Sequence, residues 1–463
     1  MPALARAEQA EIRTARPRTA GRSWASSRFS WVSRHFTGAR IDLNEFPDKD
    51  ILLSADPASR AWPSEGLARV PYWIYQDEDV YRREQERIYR GDAWNFLGLE
   101  AELPEKGDFK TTFVGEMPVV VTRDESGAIR CFENRCAHRG ALLCLADRGN
   151  TKEIACVYHN WTYDLRGDLT AVAFRRGVQG KGGMPLDADP ESQAPRKFRV
   201  EIFCGLIFAT LSDKTPVVER YIGPEVAARI RRVMKEPIKI LGGYTQVLQS
   251  NWKLYFENVK DTYHASLLHL FFSTFRLNRL EQKGGVVVGG EGGSHASFTM
   301  MKSDLSGDEY EKAGMRSASG GYALQAPQML ESVDEIGDGV TLQILTVFPG
   351  FVLQQIMNSL AVRQVLPKGV GRTELVWTCF GYASDDAKMT ELRMKQSNLV
   401  GPAGYISLED GAATGFVQRG AAGASERSSF VEMGGRTVES NESRVTETSV
   451  RGLWQQYRRH MDL

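Results

Sequence analysis

The chain has 463 residues, enough for two or three domains with cores of their own, and its 42% hydrophobic and 25% charged residues are those of an ordinary globular protein. Lysine plus arginine balance aspartate plus glutamate at 58 each, so no bulk field favours nucleic acid or an anionic membrane. No apolar run approaches the ~20 residues that span a bilayer, which predicts a soluble protein, and six cysteines in a chain of this size fit a reducing, cytoplasmic compartment.

Residues 1–67 read as an N-terminal extension. Their first forty carry Arg6, Arg13, Arg16, Arg18, Arg22, Arg28, Arg34 and Arg40 against only Glu8 and Glu11, with several serines. That composition fits a disordered extension, an upstream start codon or an organelle transit peptide. Asp77 to Arg90 opens with acids and closes before Gly91, which predicts a helix. Phe109–Val114, Val119–Arg123, Ile129–Glu133 and Val200–Leu211 read as strands punctuated by Gly115, Pro118, Gly127 and Gly205.

Inside this β-rich stretch lie Cys136-Ala137-His138 and, after seventeen intervening residues, Cys156-Val157-Tyr158-His159. Each half places a thiolate and an imidazole on one tight loop, and two such loops can pinch a dinuclear iron–sulfur centre, two cysteines on one iron and two histidines on the other. A Cys2His2 zinc site is the alternative, but zinc fingers pair Cys with Cys and His with His. Cys131, Cys144, Cys204 and Cys379 have no histidine at ligand spacing and are expected to be buried thiols.

Pro224–Lys235 and Trp252 to about Phe275 read as helical. The second holds Asp261-Thr262-Tyr263-His264 and then His269. Two histidines and a carboxylate on one face of an iron leave positions open for dioxygen and substrate. Residues five apart on an ideal helix diverge by about 140°, so His264 and His269 share a metal only if the helix breaks between them; otherwise they are two core histidines. Asp261, one turn before His264, suits an orienting role better than a ligand's. For the third ligand, Asp410 in Leu408-Glu409-Asp410-Gly411 is preferred over the adjacent Glu409 because a shorter carboxylate is stiffer; a solvated turn is the alternative. Residues 284–293 read as a Gly-rich linker, Thr341–Leu366 as a long strand broken at Pro349, and Glu374–Ala383 as its partner through a Lys368–Arg372 hairpin. Helices close the chain at 385–399 and about 444–460. No Gly-x-Gly-x-x-Gly follows a strand and opens a helix, so no nicotinamide or flavin site is expected.

Taken together, Ile88-Tyr89-Arg90-Gly91, Phe132 through Leu142, Asn251 through Leu270, Asp338 through Gln355 and Glu432-Met433-Gly434-Gly435 resemble the alpha subunits of Rieske non-haem iron ring-hydroxylating dioxygenases over roughly residues 68–463. Within them the chain looks most like the branch acting on carboxylated aromatics, terephthalate-type enzymes first, then anthranilate, ortho-halobenzoate and salicylate ones. The resemblance implies an α+β fold: an N-terminal helical part (68–94), an all-β Rieske [2Fe–2S] domain (95–215) inserted in a helix-grip catalytic domain with an antiparallel sheet (216–463). It implies a [2Fe–2S] cluster on Cys136, His138, Cys156 and His159, and Fe2+ on His264, His269 and Asp410, with O2 as co-substrate and NADH electrons arriving through a separate reductase or ferredoxin. It also implies an α3 or α3β3 ring in which Asp261 bridges His159 of one chain and His264 of the next. Arg363, in the apolar strand Ser359–Leu366, and Arg444, placed at the start of the last helix, are expected to clamp a substrate carboxylate; for each the alternative is a structural ion pair, Glu442 being the nearest candidate for Arg444. A monooxygenase on the same scaffold and a purely electron-carrying Rieske protein are the rival readings.

Overall fold

A computed structural model describes residues 60–290, 293–300, 308–315 and 322–463; the Arg-rich start of the N-terminal extension lies outside the described residues. Trp62, inside the expected extension, packs on Trp454 with ring centroids 5.5 Å apart. Strand β1 (Arg69–Pro71) precedes helix α1 (Glu78–Glu84), whose N-cap Asp77 accepts from Asp79 N and Val80 N and which widens into a π-helical stretch, Gln85–Asp92. The β-rich part then runs β2 (Asn95–Leu99), β3 (Asp108–Val114), β4 (Met117–Arg123), β5 (Ile129–Glu133), β6 (Arg148–Asn150), β7 (Ile154–Ala155), β8 (Thr162–Tyr163), β9 (Leu169–Ala171), β10 (Arg199–Phe203) and β11 (Leu206–Thr210). It folds as three small antiparallel sheets, ordered β5-β4-β3-β6, β7-β8-β9 and β10-β11-β2. The expected single strand Val200–Leu211 is instead a hairpin. Cys204 and Gly205, both at positive φ, turn the chain between β10 and β11.

Helices α2 (Val218–Ile222) and α3 (Pro224–Val233) lead into β12 (Ile238–Leu248), then α4 (Trp252–Asn258), α5 (Ala265–Leu268) and α6 (Leu270–Thr274). Next come β13 (Gly284–Gly289), β14 (Ser294–Met300), α7 (Asp308–Lys312), β15 (Val340–Val347), β16 (Phe351–Ile356), β17 (Ser359–Pro367) and β18 (Thr373–Tyr382). The chain closes with α8 (Ala387–Val400), α9 (Ser407–Ala421), β19 (Ser428–Phe430), which pairs with β1, and α10 (Thr448–Met461). Seven strands form one antiparallel sheet in the order β12-β18-β17-β16-β15-β14-β13.

Three sequence expectations change here. Gly284–Gly289 is an edge strand rather than a linker: glycine is needed because a Cβ at Gly284 would lie 2.2 Å from Phe298 O and 3.0 Å from Arg444 Nε. Thr341–Leu366 is three strands, turned at Pro349-Gly350 and again at Met357-Asn358, where Met357 has φ 52°. Arg444, expected at the start of the last helix, lies four residues before α10 begins, and Asp410 stands on helix α9, a span to which the sequence reading assigned no element.

Both faces of the large sheet are covered, so β16 and β17 are buried at every position and show no period-two pattern. On one face Val226, Ala227, Ile230 and Val233 of α3 pack on Leu345, Leu353, Leu360 and Phe380. On the other, Trp252, Tyr255 and Phe256 of α4 and Leu453, Trp454 and Tyr457 of α10 pack on Val352, Ala361, Val365 and Trp377. Each such fully buried large apolar side chain contributes about 1.5–3 kcal/mol. The α4 face carries the site.

Candidate metal centres

Two loops of the same construction hold the first cluster of ligand-type side chains. In the loop after β5, Gly140 N donates to Cys136 O (2.9 Å) and Cys136 N to Ala141 O (2.8 Å). Between β7 and β8, Asn160 N donates to Cys156 O (2.8 Å) and Cys156 N to Trp161 O (2.9 Å). Gly140 and Asn160 both sit at positive φ, which lets each loop turn back on its cysteine. Asn134 pins the first loop, its side-chain oxygen accepting from Leu143 N and Cys144 N and its Nδ2 donating to Cys144 O.

The loops bury both thiols, Cys136 and Cys156, and turn His138 and His159 outward with their Nδ1 atoms 3.1 Å apart. Tyr163 hydroxyl lies 3.3 Å from Cys136 Sγ and accepts from Ala137 N, and Trp161 stacks on His138 at 4.8 Å. Burial pushes the Cys136 thiol up. Two inner sulfurs and two outer imidazole nitrogens aimed at one another are the donors a [2Fe–2S] cluster with mixed ligation needs, so these residues fit that group.

The second cluster depends on a broken helix. Asn251 caps α4 through Lys253 N, and α4 stops at Asn258. Asp261 Oδ1 then accepts from Tyr263 N (2.8 Å) and His264 N (3.3 Å), starting a new turn. His264 precedes the four residues of α5, and His269 ends them with φ −83° and ψ 80°, outside helical space. That break brings two residues five apart onto one point. Asp410 Oδ1 lies 3.4 Å from His264 Nε2 and 3.2 Å from His269 Nε2. Ligand atoms of the three residues all fall within 4.8 Å of one another.

Acids stand at the far nitrogens as well. His269 Nδ1 is 2.8 Å from Glu409 Oε2, in hydrogen-bond geometry, while His264 Nδ1 is 3.3 Å from Asp261 Oδ2, an ion-pair distance with the ring N–H aimed off the oxygen. Asn258 Nδ2 donates to Asp410 Oδ1 (3.2 Å). Burial disfavours the His264 imidazolium, but Asp261 and Asp410 outweigh it and push the group up to about 10. Burial alone would raise Asp410, yet His269 and His264 hold it well below the carboxylate range. With Glu409 on the outer N–H of His269 and Asp261 beside that of His264, two Nε2 atoms and a carboxylate oxygen converge; a bound cation would take the place of the Nε2 protons, and the donor set fits a divalent iron with its other positions free.

The sequence reading had Glu409 only as a rival ligand, and it had no place for Asn258. No local pattern marks Asn258; its position at the end of α4, one helix face from Asp410, appears only in three dimensions. Cys131, Cys144 and Cys379 are buried as expected, whereas Cys204 is half-buried in its turn.

A cavity opens from the second centre between α4 and the sheet, lined among others by Phe272, Ser297, Ile344, Arg363, Ile406 and Arg444. Both arginines are 4% exposed. Arg363 Nη1 donates to Tyr255 hydroxyl (2.8 Å), and its Cζ lies 4.0 Å over the Trp377 ring, so it leans toward β18. Arg444 lies against β13, donating to Asn278 Oδ1 and to the carbonyls of Arg279 and Gln282. Burial brings the Arg444 guanidinium down to about 10. Neither forms an ion pair among the described residues, Glu442 included, and each has an unpartnered Nε. The two guanidiniums thus approach the cavity from β17 and from the β13 edge, four places apart in the sheet order.

The comparisons agree with this architecture. Residues 93–179 match the Rieske [2Fe-2S] domain, and residues 227–463 match the ring hydroxylating alpha subunit (catalytic domain). The chain is 56% identical over 400 residues (86% of this chain, 97% of the relative) to the terephthalate 1,2-dioxygenase terminal oxygenase component subunit alpha 2 of Comamonas sp. It is 45% identical over 413 residues (89% and 98%) to the anthranilate 1,2-dioxygenase large subunit of Burkholderia cepacia. A solved naphthalene 1,2-dioxygenase with indole in its active site superposes with a TM-score of 0.70 at 22% identity, covering 86% of this chain and 92% of that one.

Proposed function

The chain belongs to the Rieske ring-hydroxylating oxygenase alpha subunits, and on that premise we propose that it cis-dihydroxylates terephthalate to the 1,2-cis-dihydrodiol dicarboxylate. Its cofactors are those of the family, a Rieske cluster and a non-haem iron, with O2 as co-substrate and electrons from a reductase or ferredoxin. What carries the substrate assignment is the pair of buried arginines without acid partners that line the cavity, one from β17 and one from the β13 edge. A para-dicarboxylated ring brings one anion to each. A monocarboxylate such as anthranilate or salicylate leaves one buried guanidinium uncompensated, a loss of about 1–3 kcal/mol or more.

In this reading Cys136, His138, Cys156 and His159 hold the cluster, and His264, His269 and Asp410 hold the iron. Bound there, the cluster would supply electrons singly and the iron would be the place where dioxygen meets the ring. Arg363 and Arg444 fix the long axis of the substrate, so that one ipso carbon and its neighbour face the iron ligands. Phe272, Ile344 and Ile406 exclude water from the ring faces. Asp261 keeps His264 in one orientation and meets His159 of a neighbouring copy in an α3 or α3β3 ring, with a small beta subunit in the latter.

Turnover by the assembled enzyme with a surrogate reductase tests the assignment. Terephthalate is expected to be converted in preference to benzoate, anthranilate and salicylate, with both atoms of labelled dioxygen in the product. Preference for anthranilate or salicylate overturns the dicarboxylate assignment, and incorporation of a single atom overturns the dioxygenase reading.

A further inference from the structure

We propose that Gln354 is a specificity-determining residue of this pocket, its side-chain amide binding the substrate carboxylate at the Arg363 end; the proposal rests on the dicarboxylate reading above. Gln354 stands in the middle of β16, directly paired with Ile344 on β15 and Ala361 on β17. Directly paired residues share a face of a sheet, as do residues two apart on a strand. Ile344, Ile356 and Arg363 line the cavity, and Gln354 rises from the same face of the sheet, between Ile344 and Ala361.

The side chain is 1% exposed, and both its Nε2 and its Oε1 lack a hydrogen-bond partner. Among the described residues it is the one side-chain amide with both atoms buried and both unmatched. The sheet can satisfy a buried glutamine when the position is purely structural. On the opposite face Gln355 Nε2 donates to Val340 O and its Oε1 accepts from Arg232, while Gln364 Nε2 donates to Phe96 O and its Oε1 accepts from Thr112. Gln354 is left with two unmatched polar atoms, which a ligand or a bound water would complete.

Its neighbours fix the ligand's chemistry. Arg363 Nε and Trp377 Nε1 are also buried and unpartnered, and Arg363 is paired directly with Trp377 across β17 and β18. Unmatched donors gathered around a guanidinium call for an anionic acceptor. With a carboxylate in place, Gln354 Nε2 donates to one of its oxygens and Oε1 accepts from Arg363 Nε. The amide thereby reads a carboxylate at this end and rejects a ring that lacks one.

The test uses Gln354→Leu and Gln354→Glu in the assembled enzyme, followed by calorimetric titration with terephthalate, steady-state kinetics, cluster absorption and thermal unfolding. For Gln354→Leu, Kd and KM for terephthalate are expected to rise about tenfold with kcat little changed. Its unfolding midpoint should match or exceed the wild type's, because an unmatched amide has become a hydrocarbon of similar size. Gln354→Glu sets a second carboxylate against the substrate's; terephthalate binding should fall by about 100-fold or more, and selectivity should move toward the monoamide of terephthalate. If Gln354→Leu lowers the midpoint and leaves Kd and KM as they were, the amide serves packing or a buried water and the proposal is overturned while the functional reading stands. A wild type that ignores terephthalate but converts another aromatic overturns both.

Discussion

Glu409 and Asp410 are neighbours in sequence with opposite tasks, because successive residues on a helix point about 100° apart. Asp410 faces the two Nε2 atoms, and Glu409 reaches around to His269 Nδ1. Removing them should therefore have different consequences. Asp410→Ala, like His264→Ala or His269→Ala, is expected to drop iron from about three to about two per chain and abolish turnover while the visible cluster absorption stays. Glu409→Gln should keep the iron with affinity weakened by about 10–100-fold. Cys136→Ala should instead bleach the cluster; metal analysis beside the visible spectrum separates the cases, and bleaching by His264→Ala would show that the two sites are not independent. The arginines give a second residue-level expectation. Arg363→Ala and Arg444→Ala should each raise KM for terephthalate by the equivalent of a few kcal/mol of lost charge-assisted bonding with little change in cluster content. Normal terephthalate kinetics in both variants would rule out the anion positions.

At the scale of the element, the short α4–α5–α6 run depends on side chains buried behind it. Lys260 is fully buried, donates to Gly293 O at 3.1 Å and packs over Phe256, and burial brings its ammonium down to about 7. Between that value and the ordinary 10.5 the unfolded chain holds a proton that the folded one gives up, so stability from this group rises with pH across the window and is lowest at or below pH 7. Lys260→Met should accordingly be stabilised over wild type by on the order of a few kcal/mol near pH 6, with the gap closing as pH approaches 10. Thermal unfolding at the two pH values reads this directly, and a pH-independent gap would assign the effect to packing. The same run shows why the sequence was legible in some places and not in others. Cys-x-His and Cys-x-x-His carry their geometry locally, in loops closed by their own backbone, and His264 with His269 could be paired once a helix break was assumed. Helix α9 went unseen because it has no side-chain N-cap and a scattered apolar pattern. The glycines of β13 looked like a linker, although they are there to let Phe298 and Arg444 approach. In β16 and β17, burial on both faces removes the alternation that would have marked their ends.

For the whole molecule, the two centres share one property: each reaches the surface through a side chain. His138 is exposed and His159 half-buried, beside Val157 and Tyr158, which are 69% and 58% exposed. At the other centre the Asp261 carboxylate remains 24% exposed although Oδ2 is engaged by His264 and Oδ1 by two backbone amides. In the ring proposed above, Asp261 would be the contact between His264 and His159 of the next copy across a head-to-tail interface. The carboxylate would then join two imidazoles through charge-assisted hydrogen bonds, and its charge is what Asp261→Asn removes while a side-chain oxygen remains to cap Tyr263 and His264. The variant should keep its iron, its cluster and its assembled mass in sedimentation, yet reoxidise the reduced cluster orders of magnitude more slowly in a single turnover with substrate and dioxygen. Keeping the assembly as a control matters, because a subunit that failed to associate would also be slow. An intact ring of Asp261→Asn subunits turning over at the wild-type rate would mean that electrons reach the iron by another route.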